Sequence, residues 1–125
     1  MASECGRASG GRPKTALVEI PQSVYQLIWK FKVKVGLEEE FARSYGSDGP
    51  WASLFRKAAG YVGTELLCDT TDARNYVTID KWTSEQAFEG FKANSQAEYD
   101  ALDKQSEHLT DSEESIGRFV PVATA

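Results

Sequence analysis

Between Val24 and Val122 the sequence alternates strand-type and helix-type hydrophobic patterns in the order strand, helix, strand, strand, helix, strand. Its strands carry apolar residues on more than one face. A single sheet under one layer of helices can hide only one of its faces, so apolar side chains on the other must find a partner. A second copy of the chain is the expected partner. At 125 residues the chain suits one domain, large enough to bury roughly two-thirds of its unfolded surface.

Val24 to Val33 shows the alternation most clearly, with Tyr25, Leu27, Trp29, Phe31 and Val33 on one face and Gln26, Lys30 and Lys32 on the other. Gly36 breaks this strand, and Leu37-Glu38-Glu39-Glu40-Phe41-Ala42 opens a helix whose acidic first turn suits the positive end of the helix dipole. Gly46-Ser47-Asp48-Gly49-Pro50 interrupts it, and Trp51, Leu54, Phe55 and Ala58 resume at helical spacing. Two strands, Tyr61 to Cys68 and Asn75 to Trp82, follow, joined by the polar connection 69–74. Val62, Thr64, Leu66 and Cys68 are expected to share one face, and Tyr61, Gly63, Glu65 and Leu67 the other. Thr83 with Gln86 reads as a capping box for a helix burying Ala87, Phe88 and Phe91. A second cap at Ser95 restarts the helix, which turns Tyr99 and Leu102 inward. The last strand is expected over Ile116 to Val122. This order predicts an α+β, ferredoxin-like βαββαβ fold with a four-stranded antiparallel sheet, over residues 23–122. Residues 1–22 lack periodicity and are expected to form a flexible tail.

Composition narrows the function. Apolar runs are only a few residues long, far below the roughly 20 that span a bilayer, and the first residues lack the apolar core of a secretory signal. A cytoplasmic location without membrane association is therefore expected. The net charge is −5, and from Thr83 to Ser115 nine acids face only Lys92 and Lys104. Such a field disfavours nucleic acid, which needs a basic stripe. Cys5 and Cys68 make no framework and are read as a free thiol in the tail and a small strand residue. With one histidine and no CxxC or HExxH spacing, no metal site is expected.

Phe31-Lys32-Val33-Lys34-Val35-Gly36-Leu37-Glu38-Glu39-Glu40-Phe41 resembles the opening of the antibiotic biosynthesis monooxygenase (ABM) domain family. Ala59 to Leu66, Tyr76 to Trp82 and Ser84 to Phe88 support the resemblance, which covers about residues 23 to 122. It implies a dimeric α+β barrel in which two sheets face each other, with one pocket per subunit between sheet and helices. It also implies a monooxygenase that needs no cofactor and acts on an oxidisable aromatic or quinol-like molecule. The haem-degrading branch uses an Asn, Trp and His constellation. The corresponding positions hold Trp29, Phe91 and, near the histidine, Ala101, so the resemblance does not extend to haem oxygenation.

Candidate site residues follow from chemistry. Tyr25, Trp29, Phe31, Phe55 and Phe91 either fill the core or hold a planar ligand while excluding water. Trp51, just after the glycine–proline break, either anchors that break or gates the pocket. Three groups are candidates to move the proton: Tyr45, Asp80 and His108. Asp48 flanks the break with Tyr45, though a helix cap is its simpler role. His108 titrates near neutrality but, late in an acidic helix, also suits a structural role. Asp80 and Glu65 lie within strands, either desolvated as a base or paired with Arg56, Arg74 or Arg118. Two alternatives stay open: a non-catalytic dimeric binding module, and an isomerase or decarboxylase for a small acid with Arg56 holding the carboxylate.

Overall fold

The computed structural model describes residues 24–122. The expected tail lies outside them. The order is β1 (Tyr25–Val33), α1 (Glu38–Tyr45), α2 (Pro50–Phe55), β2 (Tyr61–Asp69), β3 (Asp72–Trp82), α3 (Glu85–Asn94), α4 (Gln96–Ser106), a 3-10 turn (Glu107–Leu109) and β4 (Thr110–Phe119). The strands form one antiparallel sheet in the order β2-β3-β1-β4, the ferredoxin-like arrangement expected. Among the described residues no helix is long and apolar enough to cross a membrane.

Registers set which side chains meet under the helices. Tyr25 pairs with Trp82, Leu27 with Asp80, Trp29 with Thr78 and Phe31 with Tyr76; β2 adds Tyr61 opposite Trp82, Thr64 opposite Asp80 and Leu66 opposite Thr78. Large aromatic rows therefore flank a central patch of short or polar residues, Thr64, Thr78 and Asp80. Tyr61 departs from the expected alternation. A register shift between Tyr61 and Gly63 turns it onto the helix-facing side with Thr64, where its ring packs 5.4 Å from Phe55 and 5.4 Å from Trp82.

Two apolar clusters form under the helices. One gathers Tyr25, Leu27, Trp51, Leu54, Phe55, Trp82, Phe88 and Phe91; the other gathers Phe31, Val33, Phe41, Tyr76 and Leu109. Tyr45 packs against both. Trp82 is fully buried, and among the described residues its Nε1 has no hydrogen-bond partner, at a cost of about 1–3 kcal/mol that ring packing must outweigh.

Several local expectations are corrected. Ser84 caps α3, its Oγ accepting from Ala87 N at 3.1 Å, so the cap falls one residue after Thr83. The β2–β3 connection is only Thr70-Thr71, because Asp69 accepts from the Thr71 amide at 2.8 Å and closes the turn early. β4 starts at Thr110, six residues before the expected strand. Its acidic first half has no apolar alternation because most of it is exposed. Asp48 caps nothing: Gly49 is the N-cap of α2. Cys68, expected as a small buried residue outside any disulfide, is half-buried and not a free thiol; Cys5 lies outside the described residues.

Among the described residues nothing covers the other sheet face. Ile28, Val77 and Ile79 are half-buried there, while Leu67 and Phe119 remain 47% and 45% exposed.

Candidate active site

At the seam between the two clusters lies a cavity of about 240 Å³. It is lined by the aromatics Trp29, Phe31, Tyr45, Trp51, Phe55 and Tyr99, and by the polar residues Thr64, Thr78, Asp80, Asp103 and Glu113. The cavity follows from the registers above. Trp29 sits between Thr78 on β3 and Ser115 on β4, neighbours too short to fill the space beside an indole. Trp29 is accordingly half-buried, while Tyr25, Leu27, Phe31 and Val33 on the same face are buried.

Helices close the space from above. The Tyr45 and Trp51 rings stack at 5.9 Å, and Tyr99 meets Trp51 edge-on at 5.1 Å. Trp51 Nε1 donates to Ser106 Oγ at 3.3 Å, and Ser106 donates to the Leu102 carbonyl at 2.9 Å. Those bonds tie α2 to α4 across the roof. Trp51 is thus buried and anchored from two sides.

Asp80 is the most informative polar group. Protein encloses it on nearly every side but the cavity, and this burial raises its pKa to about 6. Thr64 Oγ1 donates to Asp80 Oδ1 at 2.8 Å, which opposes the shift by favouring the carboxylate. Because that proton is committed, the 2.6 Å contact between Thr64 and Tyr61 has the Tyr61 hydroxyl as donor. Among the described residues Oδ2 has no protein donor. A carboxylate poised near neutrality, with one oxygen open to an aromatic cavity, has the properties of a general base.

The tyrosines behave differently. Tyr45 is raised well above the usual phenol range, first by burial and then by Glu113. Burial and the carboxylates of Asp103, Asp80 and Glu113 push Tyr99 up to about 12. Both stay protonated at neutral pH and present hydrogen-bond donors. Glu113 is itself raised by partial burial and by Asp103.

Of the candidates named from sequence, the cavity brings together Trp29, Trp51, Phe55, Tyr45 and Asp80. Three lie elsewhere. Tyr25 is packed on Phe88, its hydroxyl accepting from Arg118 at 3.0 Å, and Phe91 is wedged 5.2 Å from Trp82 in the core. His108 sits in the 3-10 turn with its side chain 58% exposed, Nδ1 3.0 Å from the Gln105 carbonyl and Nε2 3.6 Å from Glu40. Its turn carries Leu109 into the core and so leaves His108 facing solvent. Arg56, Arg74 and Arg118 do not pair with Asp80: Arg56 bonds the Ser47 carbonyl, Arg74 bonds Asp111, and Arg118 bonds Tyr25 and Glu89. Glu65 faces Lys81 instead, at 3.7 Å.

Five lining residues escaped the sequence reading as site members; one of them, Tyr99, was read only as turning inward from its helix. Thr64 and Thr78 were legible as neighbours of Asp80, since period-2 alternation and hairpin pairing put them on its face. Asp103 and Glu113 carried no such signal, because helix and edge-strand acids look like ordinary solvated residues.

Comparison with known proteins places this geometry. Residues 25–99 match the profile described as antibiotic biosynthesis monooxygenase. No curated protein matches. Among solved structures, SnoaB, a cofactor-independent oxygenase from Streptomyces nogalater, is similar in a mutant form with TM-score 0.68 and 25% identity, over 81% of this chain and 95% of that one. Another SnoaB structure gives TM-score 0.66 and 24% identity over 82% and 96%. A conserved protein from Methanosarcina mazei shares the fold at TM-score 0.62 and 11% identity, over 82% of this chain and 96% of that one. With the family profile spanning β1 to β3 and α1 to α3, more than half of the chain, the chain belongs to the antibiotic biosynthesis monooxygenase family.

Proposed function

We propose that the chain is a cofactor-independent monooxygenase acting on a small oxidisable aromatic or quinol-like molecule, with Asp80 as its base. The observation that carries this reading is Asp80 itself: a carboxylate with a pKa of about 6 opening onto an aromatic cavity. The similarity to a cofactor-independent oxygenase supports the reaction class.

The roles follow from placement. Trp29, Trp51 and Phe55 hold the ring plane and exclude water. Asp80 Oδ2 removes a proton from the substrate, and Thr64 holds Oδ1 so that Oδ2 faces inward. Tyr45 and Tyr99 donate hydrogen bonds to substrate oxygen. The resulting anion is electron-rich enough to reduce O₂ directly. For a reactive ring CH₂ the balance is CH₂ + O₂ → C=O + H₂O, with the substrate supplying every electron. At about 240 Å³ the cavity lies below the usual ~300–1,000 Å³ of drug-sized sites, which favours one- or two-ring substrates.

His108, exposed and outside the cavity, takes no part in this scheme. The small-acid reading loses its support because Arg56 is engaged by Ser47 and, among the described residues, no cation lines the cavity. The homodimer belongs to the same proposal, with a second sheet covering Ile28, Val77 and Ile79, as does the cytoplasmic setting. Oxygen consumption with a panel of phenols, hydroquinones and anthrones tests the activity. Turnover should stop without O₂ and persist with chelators. Substrate-dependent turnover that continues anaerobically would overturn it.

A further inference from the structure

The cavity has a charge problem. Asp80, Asp103 and Glu113 line it, and among the described residues no lysine, arginine or histidine does. Among the described residues none of the three forms an ion pair. The nearest arginines by sequence are committed elsewhere, to Ser47, Asp111, Tyr25 and Glu89. Asp100 on α4 and Glu107 in the following turn share a surface recess with Asp103 and add the same sign, against Lys104 alone. The three carboxylates do not converge on a metal: among the described residues no group of three acids, histidines or cysteines could hold one.

Such a cavity opposes the step proposed for it. Making a substrate anion beside carboxylates in a poorly solvated space is unfavourable, since like charges interact strongly where water is excluded. The same field that raises Tyr45 and Tyr99 would raise a substrate phenol. A positive charge carried by the substrate removes the conflict, and the cavity is suited to one. Indole faces attract cations, and Trp29 and Trp51 line the cavity beside the carboxylates. Tyr45 is stacked between Phe41 and Trp51, and the Tyr99 ring already attracts a cation, the Lys92 ammonium 4.0 Å from its centroid.

We infer that the ligand of this cavity is an aromatic amine: a one- or two-ring phenol or indole bearing a protonated nitrogen, seated against the aromatic faces with its ammonium toward Asp103 and Glu113. The ring hydroxyl then meets Asp80. Carboxylate-bearing analogues are repelled by the same groups. The anion formed during turnover is part of a zwitterion, so the charge on the whole ligand never becomes negative. This inference rests on the monooxygenase reading only for the deprotonation step. Binding selectivity stands on the cavity alone.

Two matched series test it by calorimetry on the full chain: tyramine, 4-ethylphenol and 4-hydroxyphenylacetate, then serotonin, 5-hydroxyindole and 5-hydroxyindole-3-acetate. The amine of each series should bind roughly tenfold or more tighter than the neutral member, and the acid weakest. In the Asp103→Asn/Glu113→Gln double variant the amine's advantage should collapse while the neutral member's affinity holds. Asp103→Glu should keep the advantage. Equal binding across a series, or preference for the acid, overturns the inference and leaves the oxygenase reading intact. Amine-selective binding without amine-dependent O₂ uptake supports the inference and counts against the oxygenase reading. No binding by any of the six at millimolar concentration overturns the inference.

Discussion

At the scale of single residues, function and stability oppose each other at Asp80. Its folded pKa is about 6, against 3.8 for the free side chain. A carboxyl with a raised pKa favours folding only while protonated, so its penalty is absent below pH ~4, grows between the two values and is constant above pH 6. Asp80→Asn should therefore stabilise the protein above pH 6, by roughly 1–3 kcal/mol, and leave stability near pH 3.5 unchanged. Urea unfolding across that range measures it. The same substitution should lower kcat/KM by about 10²- to 10⁴-fold with any accepted substrate. Thr64→Val tests the orientation of the base. It removes a bond that favours the charged form, so the acid limb of the pH–rate profile should move to higher pH. An unmoved limb would mean that Asp80 is not the titrating base. Trp29, Tyr45 and Asp80 could be nominated from sequence because alternation and chemistry coincide there. His108 could not be discounted, since only the packing of Leu109 shows which way its turn faces.

Elements depend on how their ends are tied. Gly60 precedes β2 and lies against the start of α3, where its carbonyl accepts from Thr83 N at 2.8 Å. A Cβ added at Gly60 would come within 2.4 Å of Ala87 Cβ, a backbone-near atom that cannot swing away. Gly60→Ala should cost about 1–3 kcal/mol, read as a drop in melting temperature. Ser84→Ala, which removes the cap of α3, should cost about 1 kcal/mol. The helices, the central strand and the break at residues 46–50 were all legible, because apolar period and Gly/Pro punctuation are local. The first half of β4 was not. Thr110 to Ser115 becomes a strand through backbone pairing with β1, which composition does not reveal.

For the whole molecule, the sheet face turned away from the helices is uncovered among the described residues. Leu67 and Phe119, about half exposed, border the half-buried Ile28, Val77 and Ile79. If a second copy covers them, light scattering at micromolar concentration should give twice the chain mass. Ile79→Lys should reduce that mass to a monomer without loss of far-UV circular dichroism. A stable monomer of the parent chain would remove the dimer from the proposal. The sequence by itself determined the element order, the sheet face that meets the helices and the aromatic character of that layer, since each is encoded in spacing along the chain. Tertiary structure alone decided that apolar strands leave a hole beside Trp29, and that Asp103 and Glu113 join Asp80 around it while no arginine among the described residues does. Those outcomes depend on strand register, on a bulge after Tyr61 and on which partner each charge finds. All are contacts between residues far apart in sequence, and no local pattern records them.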